Sequence, residues 1–193
     1  MTGVDQSEEM LAVANSLQAS LDPQSSLPTF YRGDIRSVKL GTTFDVVISL
    51  FHAMSYQTTN DDLSAAFATA RAHLKPGGIF IFDCWYGPAV LSERPAVRVK
   101  RLEDELITIT RVAEPTMIAN ENLVEVNYQI VVQNKSSGDI TELRESHHMR
   151  YMFRPEVEHF ISESGMSIVE ASKWLTGREP GFDTWSVCFL VLA

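Results

Sequence analysis

Three spacings of apolar residues run through this chain, and each predicts a different element. Ser7 precedes Glu8 and Glu9, so it suits a helix N-cap with acids at the positive end of the helix. Met10, Val13, Ala14, Leu17 and Leu21 then recur at helical spacing and predict one buried face. The turn-rich segment 22–28 ends this helix. Thr2 to Asp5 before it is β-compatible, and Thr29 to Arg32 after it is a short strand stopped at Gly33-Asp34. Phe44 to Leu50 is a continuous apolar run rich in β-branched residues, which predicts a parallel strand buried on both faces. Thr59 to Asp62 supplies polar caps for a helix marked by Leu63, Ala66, Phe67, Ala70 and Leu74, with Pro76-Gly77-Gly78 expected to end it. Ile79 to Cys84 is a second fully buried strand. This βαββαβ order with short connections is that of a doubly wound α/β sheet.

The spacing then changes. Val97–Val99, Leu106–Val112, Leu123–Val132 and Ile140–Met152 alternate apolar and polar residues, which predicts strands with one wet face. Asn134 to Asp139 is a hairpin turn. An antiparallel meander is thus expected at about 95–153, inserted into a single domain spanning 1–193. The α/β pattern resumes with a helix over Pro155 to Gly165, whose Val157, Phe160 and Ile161 share a face. Two closing strands follow, Ser167–Trp174 and Trp185–Leu192, joined by the turn Gly177 to Phe182.

Composition narrows the function. Sixteen basic residues against 25 acidic ones give a formal charge of −9, which argues against a broad nucleic-acid face. No apolar run reaches the roughly 20 residues of a membrane span. Met1 to Ser7 lacks the basic and apolar regions of a signal peptide, and Cys84 and Cys188 lie in apolar strand-like runs, so a reduced, cytoplasmic protein is expected. No Cys/His cluster has metal-ligand spacing, and none of the residues is assigned to a metal.

Two segments carry a family resemblance. Gly3-Val4-Asp5-Gln6-Ser7-Glu8-Glu9-Met10-Leu11 resembles the second motif of class I S-adenosylmethionine-dependent methyltransferases. Phe44-Asp45-Val46-Val47 through Phe51, followed by Leu74-Lys75-Pro76-Gly77-Gly78, resembles their strand-four to strand-five segment. The meander, Trp85-Tyr86, and Thr58-Thr59 with Asp62-Leu63 at a helix start are similar to small-molecule N-methyltransferases acting on nucleotide-linked aminosugars. The implied fold class is α/β, a Rossmann-like methyltransferase sheet with an inserted antiparallel β meander. The family's acid-G-x-G-x-G first motif is missing from this sequence, so the sheet is expected to lack its first strand and the chain to be N-terminally truncated. Strands two and four should then either meet or leave a gap with apolar edges.

The resemblance implies S-adenosyl-L-methionine as cofactor and a small-molecule substrate. It places Asp5, with neighbouring Gln6, on the ribose hydroxyls, the logic of an acid at a strand end in dinucleotide sites. An ordinary helix-start acid is the alternative. Asp34 and the Ile35 backbone N–H would meet the adenine, against a simple Gly-Asp turn in which Asp34 bonds its own backbone. Met10 would pack on the adenine or belong to the core. Ser49, Leu50 and Phe51 follow strand four and would line the methionine end of the cofactor. His52 is the first candidate for a proton acceptor, and His148 is the second. His147 and His148 are adjacent on a strand, so only one can face the pocket. Trp85, Tyr86, Arg150 and Tyr151 are candidate substrate contacts. The implied reaction is in-line methyl transfer, in which alignment and exclusion of water matter most. The competing reading is a catalytically inactive remnant or scaffold. A nicotinamide-dependent enzyme lacks its glycine fingerprint. A homodimer through the meander is a further expectation.

Overall fold

A computed structural model describes residues 1–18 and 27–193. Leu21 and most of the turn expected over 22–28 lie outside the described residues. β1 (Thr2–Asp5) is followed by α1 (Glu8–Gln18), which Ser7 caps by accepting from the Met10 N–H at 3.1 Å. β2 (Thr29–Arg32) pairs in parallel with β1, and the two form a small sheet of their own.

The second sheet has eight strands and is organised by one of them. β3 (Phe44–Ser49) leads through a 3₁₀ turn (Ala53–Tyr56) to α2 (Asn60–Ala72), and then to β4 (Leu74–Tyr86). Thr59 caps α2 by accepting from the Asp62 N–H. After α3 (Gly87–Ser92) come the meander strands β5 (Arg98–Glu103), β6 (Ile107–Ile118), β7 (Leu123–Asn134) and β8 (Ile140–Met152). The chain closes with α4 (Arg154–Glu163), β9 (Ser167–Lys173) and β10 (Ser186–Leu192). The path is β5-β6-β7-β8-β4-β10-β9, with β3 also paired to β4. β10 runs antiparallel along one edge of β4, through Ile79 to Trp85. On the other edge β3 pairs in parallel up to Phe82, and β8 takes over at Trp85 and Tyr86. The meander therefore joins the α/β sheet beyond the carboxyl end of β3, and the segment leaving β3 is held against both β4 and β8.

The interior gathers around β4. Phe80 and Phe82 stack with centroids 5.0 Å apart, Phe82 stacks on Phe189 at 5.1 Å, and Phe67 of α2 meets Phe82 edge-on at 5.4 Å. Each such ring taken out of water contributes about 1.5–3 kcal/mol. Val157, Phe160 and Ile161 bury the expected face of α4 in the same core. A second cluster of Val90, Val124, Val126, Met149 and Tyr151 fastens the base of the meander.

Three expectations need correction, and one stated with two alternatives takes the second. α1 does not bury its Met10–Val13–Leu17 face: these residues are 56%, 50% and 63% exposed, because α1 rests on β1 and β2 through its other side. β3 is not buried on both faces. Its only strand partner among the described residues is β4, and Val46 and Ile48 stay 50% and 60% exposed. β1 and β3 do not pair, so the expected gap is the outcome rather than direct meeting of these strands. Pro76-Gly77-Gly78 does not end α2, which stops at Ala72, and Leu74 opens β4 rather than closing the helix. The three residues make a bulge in β4, where pairing with β3 jumps from Phe44↔Leu74 to Val46↔Ile79. Gly77 takes φ +73° there, a conformation that disfavours a side chain.

Candidate functional site

β1 and β2 end side by side, and their register brings two expected site residues close. Asp5 pairs opposite Arg32, and the Asp5 carbonyl accepts from the Gly33 N–H at 2.9 Å, one residue before Asp34. Asp5 is exposed. One carboxylate oxygen accepts from the Ser7 N–H at 2.8 Å, so it orders the start of α1, and the other has no hydrogen-bond partner among the described residues. Gln6 beside it is exposed. Asp34 is more engaged: it accepts from the Arg36 backbone N–H at 2.8 Å and from the Arg36 guanidinium at 2.5–3.0 Å. That guanidinium also reaches Asp62 at 2.6 Å. Hydrogen bonding from Arg36 holds both carboxyls below their ordinary range. Ile35 packs against the main core. Met10 points outward from α1, away from any core.

The second part of the site lies where β3 ends. Phe51 and His52 both adopt left-handed backbone conformations, with φ 60° and 65°. Two consecutive bulky residues there are strained, and such strain persists only where the surroundings enforce it. The enforcement comes from Asp83 on β4, which is 1% exposed. One Asp83 oxygen accepts from the His52 backbone N–H at 3.0 Å. The other lies 3.3 Å from His52 Nε2 and accepts from the Ser186 hydroxyl at 3.1 Å. A buried carboxylate needs such partners. An acceptor-only carboxylate against Nε2 favours the Nε2–H tautomer, leaving Nδ1 of a partly exposed ring as the free base. Trp85 meets His52 edge-on at 6.4 Å and Trp185 at 5.8 Å. Ser49 ends β3 with a buried hydroxyl that lacks a partner among the described residues. Leu50 is half-buried, and Phe51 is 82% exposed with its ring 6.5 Å from Trp174.

Other expected residues fall elsewhere. Tyr86 points to the opposite face from Trp85 and lies in the main core. Arg150 is buried, paired with Glu156 and bonded to Asn60 Oδ1 at 2.7 Å, so it ties α2 and α4 to the meander rather than meeting a substrate. Tyr151 is 1% exposed, with its hydroxyl on the Ala119 carbonyl at 3.3 Å. His148 is half-exposed beside Glu125 at 3.6 Å, on the face away from His147. His147, not His148, is the one turned to the segment after β3, with Nδ1 2.7 Å from the Tyr56 hydroxyl. The sequence reading missed Asp83, Tyr56 and Trp185. Asp83 had a usable signal, as a lone acid inside the apolar run Ile79–Cys84 that can be buried only with partners.

Comparison with known proteins gives a consistent likeness. The methyltransferase-domain family matches residues 1–78, which run from β1 to the bulge of β4. Over 179 residues, covering 91% of this chain and 70% of the relative, the chain is 26% identical to a dTDP-3-amino-3,4,6-trideoxy-alpha-D-glucopyranose N,N-dimethyltransferase of Streptomyces venezuelae. It covers 99% of itself and 72% of an S-adenosylmethionine-bound amino pentose methyltransferase from Micromonospora echinaspora, with TM-score 0.73 and 26% identity. The chain is similar to class I S-adenosylmethionine-dependent methyltransferases over nearly its whole length. The fold likeness is stronger still to an S-adenosylmethionine-dependent methyltransferase from Clostridium acetobutylicum, with TM-score 0.85 at 22% identity over 99% of this chain and 74% of that one. The α/β fold class and the family resemblance are therefore borne out. The chain spans about seven tenths of these relatives' lengths. Among the described residues no helix is long and apolar enough to cross a membrane.

Proposed function

We propose that this chain is a methyltransferase that uses S-adenosyl-L-methionine to methylate the amino group of a small, nucleotide-linked aminosugar. The observation that carries the chemistry is the His52–Asp83 pair at the carboxyl ends of β3 and β4, where open α/β sheets place their ligands. The relatives named above support the cofactor and the substrate class.

The residues present fit the cofactor. Asp5 is exposed at a strand end with one carboxylate oxygen unpartnered among the described residues, suited to ribose hydroxyls, with Gln6 next to it. Arg36 makes four contacts to Asp34, so Asp34 would exchange one of them to accept from the adenine amine, with the Ile35 N–H beside it suited to a ring nitrogen. The orphaned Ser49 hydroxyl and the strained Phe51–His52 backbone, with Leu50 between them, stand where the methionine part would lie. When bound, S-adenosylmethionine supplies an activated methyl group. His52 Nδ1 takes the proton that the acceptor amine must lose, and Asp83 keeps the ring oriented and stabilises its protonated form. Trp85 shields one side of His52 from water, and its face suits a cationic amine.

Two further expectations join this reading. The meander forms a homodimer contact, supported by Leu102, Ile140 and Leu143, which are 50%, 66% and 49% exposed along it. The protein works in the reducing cytoplasm, supported by two unpaired cysteines, with burial raising the Cys84 thiol well above its ordinary value.

Titration calorimetry with S-adenosylmethionine tests the cofactor assignment. The full chain should bind it, and Asp5→Ala should weaken binding about tenfold or more, since a hydrogen bond to a charged group is lost. An Asp5→Ala protein with unchanged affinity refutes the assignment of that residue, and absence of binding refutes the function.

A further inference from the structure

Four residues beyond His52, at the end of the same turn, begins a second hydrogen-bonded set that the reaction described so far does not use. Tyr56 closes the 3₁₀ turn that begins just after His52. Its hydroxyl lies 2.7 Å from His147 Nδ1, and His147 Nε2 lies 3.2 Å from Glu145. The ring of His147 is edge-on to both Tyr56 and Tyr128, with centroids 5.7 and 5.2 Å away.

The donor directions follow from the ends of the chain of bonds. An ionised Glu145 only accepts, so Nε2 carries the imidazole proton. Nδ1 of the neutral ring is then an acceptor, and the Tyr56 O–H donates to it. The phenol oxygen keeps two lone pairs and no proton to offer elsewhere. Tyr56 is 47% exposed, and a ligand reaching its hydroxyl would meet these lone pairs. Burial, with nearby Tyr128 and Glu145, raises the Tyr56 pKa, so the phenol stays neutral and polarised rather than ionised. An oxygen that only accepts, backed by an imidazole and a carboxylate and flanked by aromatic rings, selects a ligand with N–H donors and positive charge.

We propose that Tyr56, held by His147 and Glu145, seats the protonated amino group of the acceptor sugar beside the His52–Asp83 pair. This rests on the aminosugar reading above. Tyr56 touches the substrate, and His147 and Glu145 act through it as positioning residues. The seat orients the nitrogen, and its proton leaves to His52.

Nuclear magnetic resonance on the full chain tests this with D-glucosamine as probe. Two-bond proton–nitrogen spectra should show His147 as the Nε2–H tautomer, and Tyr56→Phe should move its Nδ1 signal. Glucosamine should shift the Tyr56 and His147 signals, and N-acetylglucosamine, which lacks the ammonium, should bind about tenfold more weakly. Tyr56→Phe should cost about the same factor for glucosamine, because the phenyl ring stays and only the acceptor is lost. His147→Gln should retain more affinity than His147→Ala, since an amide oxygen can still accept from Tyr56. Equal glucosamine affinity in Tyr56→Phe, or unmoved Tyr56 and His147 signals at saturating glucosamine, overturns the proposal. Calorimetry with S-adenosylmethionine on the same samples separates the two ideas. Cofactor binding with an indifferent Tyr56 removes the seat and leaves the methyltransferase reading, and a Tyr56-dependent glucosamine site without cofactor binding does the reverse.

Discussion

Phe67, Phe80, Phe82 and Phe189 are 0–1% exposed around β4, whereas Met10 and Val13 on α1 and Val46 and Ile48 on β3 remain 50–60% exposed. Both groups follow equally clear apolar patterns. The difference is what faces them. β4 has β10 along one edge, β3 and β8 along the other, and helices α2 and α4 packed on the sheet. β1 and β3 are not joined to each other, and neither the Met10–Val13 side of α1 nor the outer side of β3 enters the two buried clusters. A period tells which side of an element favours burial. Whether that side is buried depends on a facing element that the segment itself does not encode.

Several substitutions sharpen or break this contrast. Phe82→Ala should lower the stability of the chain by about 3–5 kcal/mol in urea unfolding, because three neighbouring rings lose contact and cannot fully close the cavity. Val13→Ala and Ile48→Val should each stay within about 0.5 kcal/mol. Comparable losses at all three sites would show that the exposed faces are packed in solution. Arg150→Met should cost about 3 kcal/mol, since Glu156 would be left half-enclosed without its cation, and the Arg150→Met/Glu156→Gln pair should recover part of the loss. An Arg150→Met protein as stable as the parent would return Arg150 to the list of free substrate contacts. Next in size, threonine at positions 46 and 48 together should leave unfolding unchanged and reduce self-association in light scattering, because an apolar open strand edge invites pairing. Unchanged association would place the sticky surface elsewhere.

The smallest expected effect is on pH dependence. Arg36 holds the carboxyls of Asp34 and Asp62 below their ordinary 3.8. Depressed folded-state values mean that this contribution is fully present above the unfolded value and is lost as pH falls through the lower folded one. Stability should thus decline on acidification below about pH 4, and Arg36→Met should flatten that decline. These groups meet solvent, so the change is modest and weakens with salt. An identical acid profile in Arg36→Met would mean that the triad does not hold the 34–43 loop to α2.

The legible parts of the fold were those where local pattern and tertiary context agree. The meander's alternation, the face of α4 and the Thr59 cap of α2 each follow from short-range rules. Pro76-Gly77-Gly78 was misleading because a helix stop and a β bulge use the same residues, and only pairing with β3 distinguishes them. In the proposed site, Asp5, Asp34 and His52 are suggested by their positions after strands. Asp83 and Tyr56 could not be placed, because their meaning lies in contacts across 31 and 91 residues of chain, to His52 and His147. The Arg150 and Tyr151 misassignments have the same origin: a polar residue near a predicted pocket looks identical in sequence whether it faces the ligand or ties elements together from inside.

The most direct test of the whole account is methyl transfer itself, measured by mass spectrometry of a nucleotide-linked aminosugar incubated with S-adenosylmethionine and the full chain, beside its Asp83→Asn variant. The account predicts a methylated amine whose rate of formation falls by about 10²-fold in Asp83→Asn, which keeps the shape of the buried pair but loses the charge that supports His52 as a base. No methylated product from the parent chain, or an undiminished rate in Asp83→Asn, would contradict it.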